Sequence, residues 1–579
     1  MPLQDWIHRL EEGGGARIVK RMAAVLAFAV VAAAYNWLAP QGFLTQEAME
    51  SGQLARNLAQ GKGYTTDSIK PLDLYLLDKA SPGAARHALE NGVPELAQPP
   101  VYPAVLAGLM RVARFDFTAR DYWFYQPELW IGVFNQILFF VAALLLFSIG
   151  RRLFDVRVAW LAAVIFAGTE LYWRFCLSGL STILLAVIFL AMIRAMIESE
   201  RNVWWAAAAG ALAGVGTMTR YSFGWALVPA MIFCAVSAKK TWGRAMVLSF
   251  LAFAIVCAPW LARNRALTGS TFGSSVYALV DGTPPFPGDQ LERALNPEPG
   301  FKQMRLSFIK MKMFTNLGRI VGAELPTMGG NWLCAFFLAG LLIQFRSPLL
   351  GRLRWFLVGT LVVWAMAEAF GRTGMSEDSP TLNSENLLVL AAPLLFVYGA
   401  GFFYTLTDQL NLLTGDLRAA AVVLFTVVMC LPLALTLFAP PEIPVNSPYS
   451  AKWLQTTARM MNEKDKELMM SDIPWGIAWY GERRCLLLTR EAGEEFYKAN
   501  AIKPVQALYL TQRTTDRPLL TEITGATNSW GRFYWDCWAH GEVPSGFPLR
   551  KAPLNYLPAQ MLLSDHDRWS NRKENAPAQ

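Results

Sequence analysis

Long apolar runs separated by short polar connectors recur over the first three quarters of this 579-residue chain. A helical run of roughly 20 apolar residues matches the hydrocarbon thickness of a bilayer, so each is read as a candidate span. The first lies at about Met22–Leu38. Others follow at about Leu129–Ile149, Val158–Tyr172, Leu180–Ile197, Val203–Met218, Phe223–Ser237, Met246–Leu261, Asn331–Ile343, Trp355–Phe370, Leu387–Thr405 and Ala419–Phe438. The pattern therefore predicts a mainly α, polytopic helix bundle of about eleven spans over residues 1–439.

One polar stretch, Gln46–Pro103, interrupts this rhythm inside a long first loop, residues 40–128. Gln46, Glu50, Gln53 and Asn57 recur at steps of four, three and four and so share one helix face, while Leu54, Ala55 and Leu58 fall on the other. The expectation is a helix at the membrane surface, apolar side to lipid, with Glu50 facing a water-filled cavity. The run PAVLAGLMRVA, Pro103 to Ala113, is too short to cross and is read as a second surface helix.

Beyond Phe438 the pattern changes. APPEIPVNSP reads as a linker, SAKWLQTTARMM and REAGEEFYKA as helices, and ELMMSDI, CLLLT and VQALYLT as strands. The alternation predicts a small α/β domain over residues 440–579. Its aromatic segment NSWGRFYWDCWAHG suits packing or sugar binding.

Composition supports the membrane reading: 54% of residues are hydrophobic, 17% are charged, and the mean hydropathy is +0.28. The net charge of +8 raises the question of nucleic acid, but the basic residues cluster in connectors that all fall on one side. Examples are Arg17, Lys20 and Arg21; Arg151, Arg152 and Arg157; Lys239, Lys240 and Arg244; Arg346, Arg352 and Arg354. This positive-inside pattern places the N-terminus in the cytoplasm of a bacterial-type plasma membrane and, with an odd span count, residues 440–579 outside. It leaves no basic surplus that calls for a nucleic-acid partner. The Ala-rich first run also fits a cleaved signal peptide.

Five of the seven cysteines lie in or beside apolar runs. Cys485 and Cys537 lie in the polar tail, where an oxidising exterior permits a disulfide between them. His8, His87, His540 and His566 are scattered, with no CxxC or HExxH, so no metal site is expected. The stretch FKQMRLSFIKMKMFTNLGRIVG sets Lys302, Arg305, Lys310, Lys312 and Arg319 among apolar residues at helical spacing. It reads as a basic amphipathic helix that anchors at a lipid surface or grips a lipid-linked phosphate.

The strings ARNLAQGKGYTT and QPPVYP resemble the first extracytoplasmic loop of GT-C glycosyltransferases, in particular the family 39-like branch. That branch includes protein O-mannosyltransferases and the transferases of aminoarabinose to lipid A. The resemblance covers roughly residues 20–440. It implies transfer of a sugar from a polyprenyl phosphate to an extracytoplasmic lipid, glycan or protein, with the lipid-phosphate sugar as donor substrate and no separate cofactor. It puts Glu50 where the family usually has an Asp, as the base for the acceptor, with Glu47 as the fallback. For the donor phosphate it points to Arg220 in TMTRY and Arg263 in PWLARN; Arg56 and Arg372, and Lys310 of the basic helix, are secondary cationic candidates read from the residues themselves. Tyr64, Tyr102, Tyr221 and Gln98 would position substrate. Three positions depart from the family pattern: Gln98 replaces a charged or His residue, Ser181 an acidic one, and Glu385–Asn386 an Arg-Tyr or similar pair. A transporter or flippase, and a non-catalytic assembly partner of the same fold, are the rival readings.

Overall fold

The apolar runs fold as helices in the computed structural model, which describes residues 14–38, 42–122, 124–327, 347–374, 382–409, 415–438, 449–461, 467–516, 528–541, 543–550 and 560–568. The expected span Asn331–Ile343, the linker APPEIPVNSP and the end of the tail lie outside the described residues. Among the described residues six stretches are long and apolar enough to cross a bilayer: Arg21–Leu38, Gln126–Leu153, Tyr221–Thr268, Pro348–Gly371, Leu388–Gln409 and Asp416–Phe438. The pair Val156–Ala167 and Glu170–Leu177, bent by 52°, makes a seventh if it crosses as one. This is an integral membrane protein.

The difference from eleven has identifiable sources. Tyr221–Thr268 is 48 residues long and contains two of the expected spans, since its backbone breaks at Lys239 (φ 46°) into the helices Leu227–Ala238 and Trp242–Thr268. Thr182–Glu198 and Trp204–Thr217 are apolar helices of only 17 and 14 residues. Small residues let the latter press against its neighbour: a Cβ on Gly210 would lie 2.0 Å from the Ser249 carbonyl oxygen, and one on Gly214 2.9 Å from Val256. Such close backbone approach favours helix association within a membrane.

In the first loop, the spacing-predicted helix forms over Gln46–Ala59, the loop helix below, and the second over Val101–Val112. The loop helix is not at a lipid surface as expected. Leu54 and Ala55 are fully buried, because the helix packs between Val101–Val112 and a third helix, Pro474–Gly481, from the tail. Gly52 permits that contact: a Cβ there would lie 2.9 Å from the Trp479 ring.

Two short strands of the loop, β1 (Thr65–Thr66) and β3 (Val93–Pro94), pair antiparallel. Between them in sequence, β2 (Ser68–Ile69) joins the strands of the tail: β4 (Leu468–Ser471), β5 (Cys485–Leu487), β6 (Val505–Leu510) and β7 (Met561–Ser564). The five form one sheet in the order β2-β5-β4-β6-β7, parallel except for β7. The sheet is therefore shared by the first loop and the tail. Its side chains alternate between two cores, as strand geometry requires. Met469, Cys485, Leu487, Ala507 and Tyr509 join the core continuous with the helix bundle. Met470, Leu486, Leu488 and Leu508 join a second core with Phe496, Trp530 and Phe533.

This alternation corrects the disulfide expectation. Cys485 and Cys537 are both free thiols, because the sheet turns Cys485 toward the bundle while Cys537 sits in the core on the opposite face. Of the aromatic tail segment, Trp530, Phe533 and Tyr534 pack inward on the helix Trp530–His540, whereas Trp535 and Trp538 are exposed.

Candidate functional site

A cavity of about 930 Å³ lies between the loop helix, the start of the helix Pro71–Ala80, the turn Gly273–Leu279 and the spans Leu227–Ala238, Trp242–Thr268 and Pro348–Gly371. Its polar part is lined by Glu47, Glu50, Lys70, Asp73, Gln98, Arg220, Asp281, Glu292 and Glu385. Its apolar part is lined by Val228, Phe253, Leu261, Val362, Met366 and Phe370. Trp225, Val228 and Val362 line the cavity and are themselves exposed, so its apolar part is not sealed off.

Glu50 is held at four points. Gln98 Nε2 donates to Oε2 at 3.0 Å, and Gln46 Nε2 and Ser68 Oγ donate to Oε1 at 3.0 and 3.4 Å. The Lys70 ammonium is 3.8 Å from Oε1. Gln98 is itself oriented by Ser51, whose hydroxyl donates to Oε1 at 3.0 Å. Burial pushes the Glu50 carboxyl up to about 7; Lys70 opposes the shift, and Glu95 and Glu292 reinforce it. A carboxylate near this value is matched to taking and giving a proton at neutral pH.

Three residues on, in the other direction, Glu47 pairs with Arg220 at 3.0 Å. Ser384 joins them, accepting from Arg220 and donating to Glu47. Glu385 is 3.9 Å from Arg220 and accepts from the Thr373 hydroxyl at 2.7 Å. Arg220 Nε is buried and has no hydrogen-bond partner. A guanidinium at the end of an apolar run is costly unless paired, and here it is paired with one donor left over.

Lys70 bridges the two acidic groups of the opposite wall, 2.8 Å from Glu292 and 3.8 Å from Glu50. Burial works to lower its pKa, but Glu292, Glu50 and Asp73 overcome this and hold it well above the usual lysine range. Sequence reasoning passed over Lys70, Asp73, Asp281 and Glu292. A lone Lys and Asp inside the apolar string SIKPLDLYLL was the one available signal.

The residues singled out by sequence divide. Glu47, Glu50, Gln98, Tyr102, Arg220 and Tyr221 line the cavity together; Arg56, Tyr64, Arg263, Lys310 and Arg372 do not. Tyr102 donates to the Gly179 carbonyl at 2.8 Å, and the Tyr221 hydroxyl accepts from Trp260 and Asn264 at 2.8 and 3.1 Å. Arg56 donates to the carbonyls of Trp479 and Ala478 at 2.7 and 2.6 Å, capping the end of the tail helix. Arg263 donates to the Glu95 carbonyl at 2.9 Å with its guanidinium 4.4 Å over the Trp260 ring. Arg372 pairs with Glu324 at 2.6 Å. Tyr64 donates to the Pro99 carbonyl at 3.0 Å, fixing the segment that carries Gln98. Lys310 is exposed, while Lys312, two positions on, turns inward to the carbonyls of Ala278 and Asp281 at 2.6 Å each. Among the described residues, no three His, Cys, Asp or Glu side chains are grouped to hold a metal ion.

Residues 97–262 match the family model described as dolichyl-phosphate-mannose-protein mannosyltransferase, and they run from the start of the Gln98 segment through Arg220 to the end of the wall at Leu261. The whole chain superposes on ArnT from Cupriavidus metallidurans bound to undecaprenyl phosphate, with a TM-score of 0.57 at 9% identity over 96% of this chain and 99% of that one. The chain has the GT-C fold. ArnT in the apo state gives a TM-score of 0.53 at 11% identity, covering 94% of this chain and 98% of that one. The oligosaccharyltransferase of Archaeoglobus fulgidus with zinc and sulfate gives 0.49 at 14% identity, over 86% and 69% of the two chains. No curated protein sequence matches. In this GT-C chain two of the positions that depart from the family pattern, Gln98 and Glu385, are wired to Glu50 and Arg220 respectively.

Proposed function

We propose that this protein is a membrane glycosyltransferase that moves a sugar from a polyprenyl-phosphate donor to an acceptor hydroxyl on the extracytoplasmic side. The observation that carries the reading is the continuity of one cavity: Glu50 and five further carboxylates with two cations, Lys70 and Arg220, at its polar part, and an apolar limb lined by span residues. A prenyl chain suits the limb between Val228, Phe253 and Val362. The headgroup phosphate suits Lys70 and the unpartnered Nε of Arg220, since charge-assisted hydrogen bonds are the strong ones.

In this reading the acceptor oxygen attacks the anomeric carbon, and the bond from that carbon to the phosphate oxygen breaks with its electron pair. Polyprenyl phosphate leaves, stabilised by Lys70 and Arg220. The acceptor proton passes to Glu50, whose elevated pKa and four-point support suit a general base. Glu47, already bonded to Arg220 and Ser384, orients the cation instead. The positive-inside pattern supports a cytoplasmic N-terminus and a cavity facing outward.

The test is transfer from a radiolabelled polyprenyl-phosphate sugar by purified protein. Glu50→Gln is expected to lower turnover by about 10²–10⁴-fold while retaining fold and lipid binding. Full activity in Glu50→Gln beside an inactive Glu47→Gln would move the base to Glu47. No transfer by the unmutated protein with any such donor would contradict the reading.

A further inference from the structure

Besides Arg220 Nε and Ser181 Oγ, three buried polar atoms on the cavity wall make no hydrogen bond: Asp73 Oδ1, Ser274 Oγ and Asp281 Oδ1. Their residues are 3%, 9% and 6% exposed, so water does little to satisfy them. Native structures leave few such groups, and several on one wall of one cavity point to a ligand that completes them.

The backbone holds the three in place independently of any ligand. Asp73 lies in the first turn of the helix Pro71–Ala80. Ser274 lies on the turn Gly273–Leu279, which is pressed onto the segment before Gln98: its N–H donates to the Leu96 carbonyl at 3.3 Å, and the Ser275 hydroxyl donates to the Ala97 carbonyl at 2.6 Å. Gly273 has a φ of +59°, and a Cβ there would lie 2.0 Å from the Leu96 oxygen, so only glycine allows this approach. Asp281 follows the same turn, with its own carbonyl fixed by Lys312 and its Oδ2 accepting from the Gly374 N–H at 3.4 Å.

Charge decides what this wall accepts. Asp73, Asp281 and Glu292 line the same cavity, and Glu292 acts electrostatically on both aspartates. Burial and then Glu95 push the Asp73 carboxyl upward, while Lys70 and the neighbouring Ser274 side chain oppose the shift only in part. Burial and then Glu292 do the same to Asp281 against Lys312. Two carboxyls beside Glu292 offer an anion no countercharge of their own, whereas ligand hydroxyls can donate to them and accept from Ser274.

We propose that Asp73, Ser274 and Asp281 form the subsite that reads the hydroxyl edge of the donor's sugar ring, selecting neutral, hydroxyl-rich rings and rejecting acidic ones. This rests on the transferase reading above, because the lipid phosphate sets where the ring lies.

The experiment measures binding of sugar-free polyprenyl phosphate and of polyprenyl-phosphate mannose, glucose, galactose, N-acetylglucosamine and glucuronic acid to purified protein. Unmutated protein is compared with Asp73→Asn, Asp281→Asn, the double variant and Ser274→Ala. At least one neutral sugar should bind about ten-fold or more tighter than the sugar-free lipid, since a site built around substrate hydroxyls discriminates strongly. The glucuronic acid lipid should show no gain. The gain should shrink in each single variant and vanish in the double variant, with affinity for the sugar-free lipid unchanged; that affinity also reports that the variants are folded. A gain kept in the double variant, or no gain for any neutral sugar in unmutated protein, overturns the subsite. Failure of sugar-free polyprenyl phosphate to bind unmutated protein overturns the transferase reading itself, and the subsite with it.

Discussion

Arg56 and Arg220 both hold guanidinium groups largely out of water beside the same helix, yet they end in different surroundings. Arg56 projects from the back of the loop helix, where two tail carbonyls receive it and the rings of Phe117 and Trp479 flank it at 5.5 and 5.7 Å. Arg220 meets the front of the helix at Glu47 and Ser384, on a cavity wall, and keeps Nε unpartnered. A cation whose donors meet backbone carbonyls inside packed aromatics acts as a structural tie. A cation that shares a cavity with a carboxylate and retains an open donor is available to a substrate. The loop helix thus joins two tasks: its back fastens the tail to the bundle through Gly52 and Arg56, and its front presents Glu47, Glu50 and Ser51 to the cavity.

The sharpest way to break this division is Glu50→Gln. Loss of a general base is expected to lower kcat by about 10²–10⁴-fold, with the thermal transition of the purified protein little changed. Arg220→Ala comes next: losing a charge-stabilising donor should lower kcat by roughly 10²-fold or more. The paired control is Arg56→Ala. Hydrogen bonds from charged groups contribute about 1.5–3 kcal/mol each, so this variant should lower the melting temperature while leaving KM for the donor unchanged. Arg56→Ala with normal stability and a raised KM would erase the distinction between the two faces.

Smaller effects sharpen it. Gly52→Ala forces a methyl against Trp479, and overpacking of this kind typically costs about 1–3 kcal/mol. It should loosen the tail, read as faster proteolysis between the bundle and the sheet, before it touches catalysis. Gln46→Ala is the mildest. Activity needs the ionised Glu50, so kcat should rise with pH through about 7 in the unmutated protein. The Gln46 hydrogen bond favours the ionised form, so its loss should move that rise to higher pH.

The sequence carried the helix bundle well, because apolar length is a direct requirement of the bilayer. It carried the loop helix too, through the four-three-four spacing, but not where that face leads. Glu50 reaches the cavity with Gln46 hydrogen-bonded to it, whereas Gln53 and Asn57 turn aside to Asp67, each at 3.1 Å. Nor was the role of Arg56 legible, since its partners lie more than 420 positions away. Lys70 and Glu292 meet across 222 positions, from segments with no periodicity to mark them. The cysteine pair failed for the same reason: placing both in the tail says nothing about which side of a sheet each one takes. Short-range pattern fixes elements, while the site depends on which elements meet.

The most direct measurement is a map of the protein with polyprenyl phosphate bound. The account predicts the phosphate within hydrogen-bonding reach of Lys70 and Arg220, beside Glu50, with the prenyl chain running past Val228, Phe253 and Val362. A phosphate seated instead on Arg56, Arg263 or Lys310, away from Glu50, would contradict it.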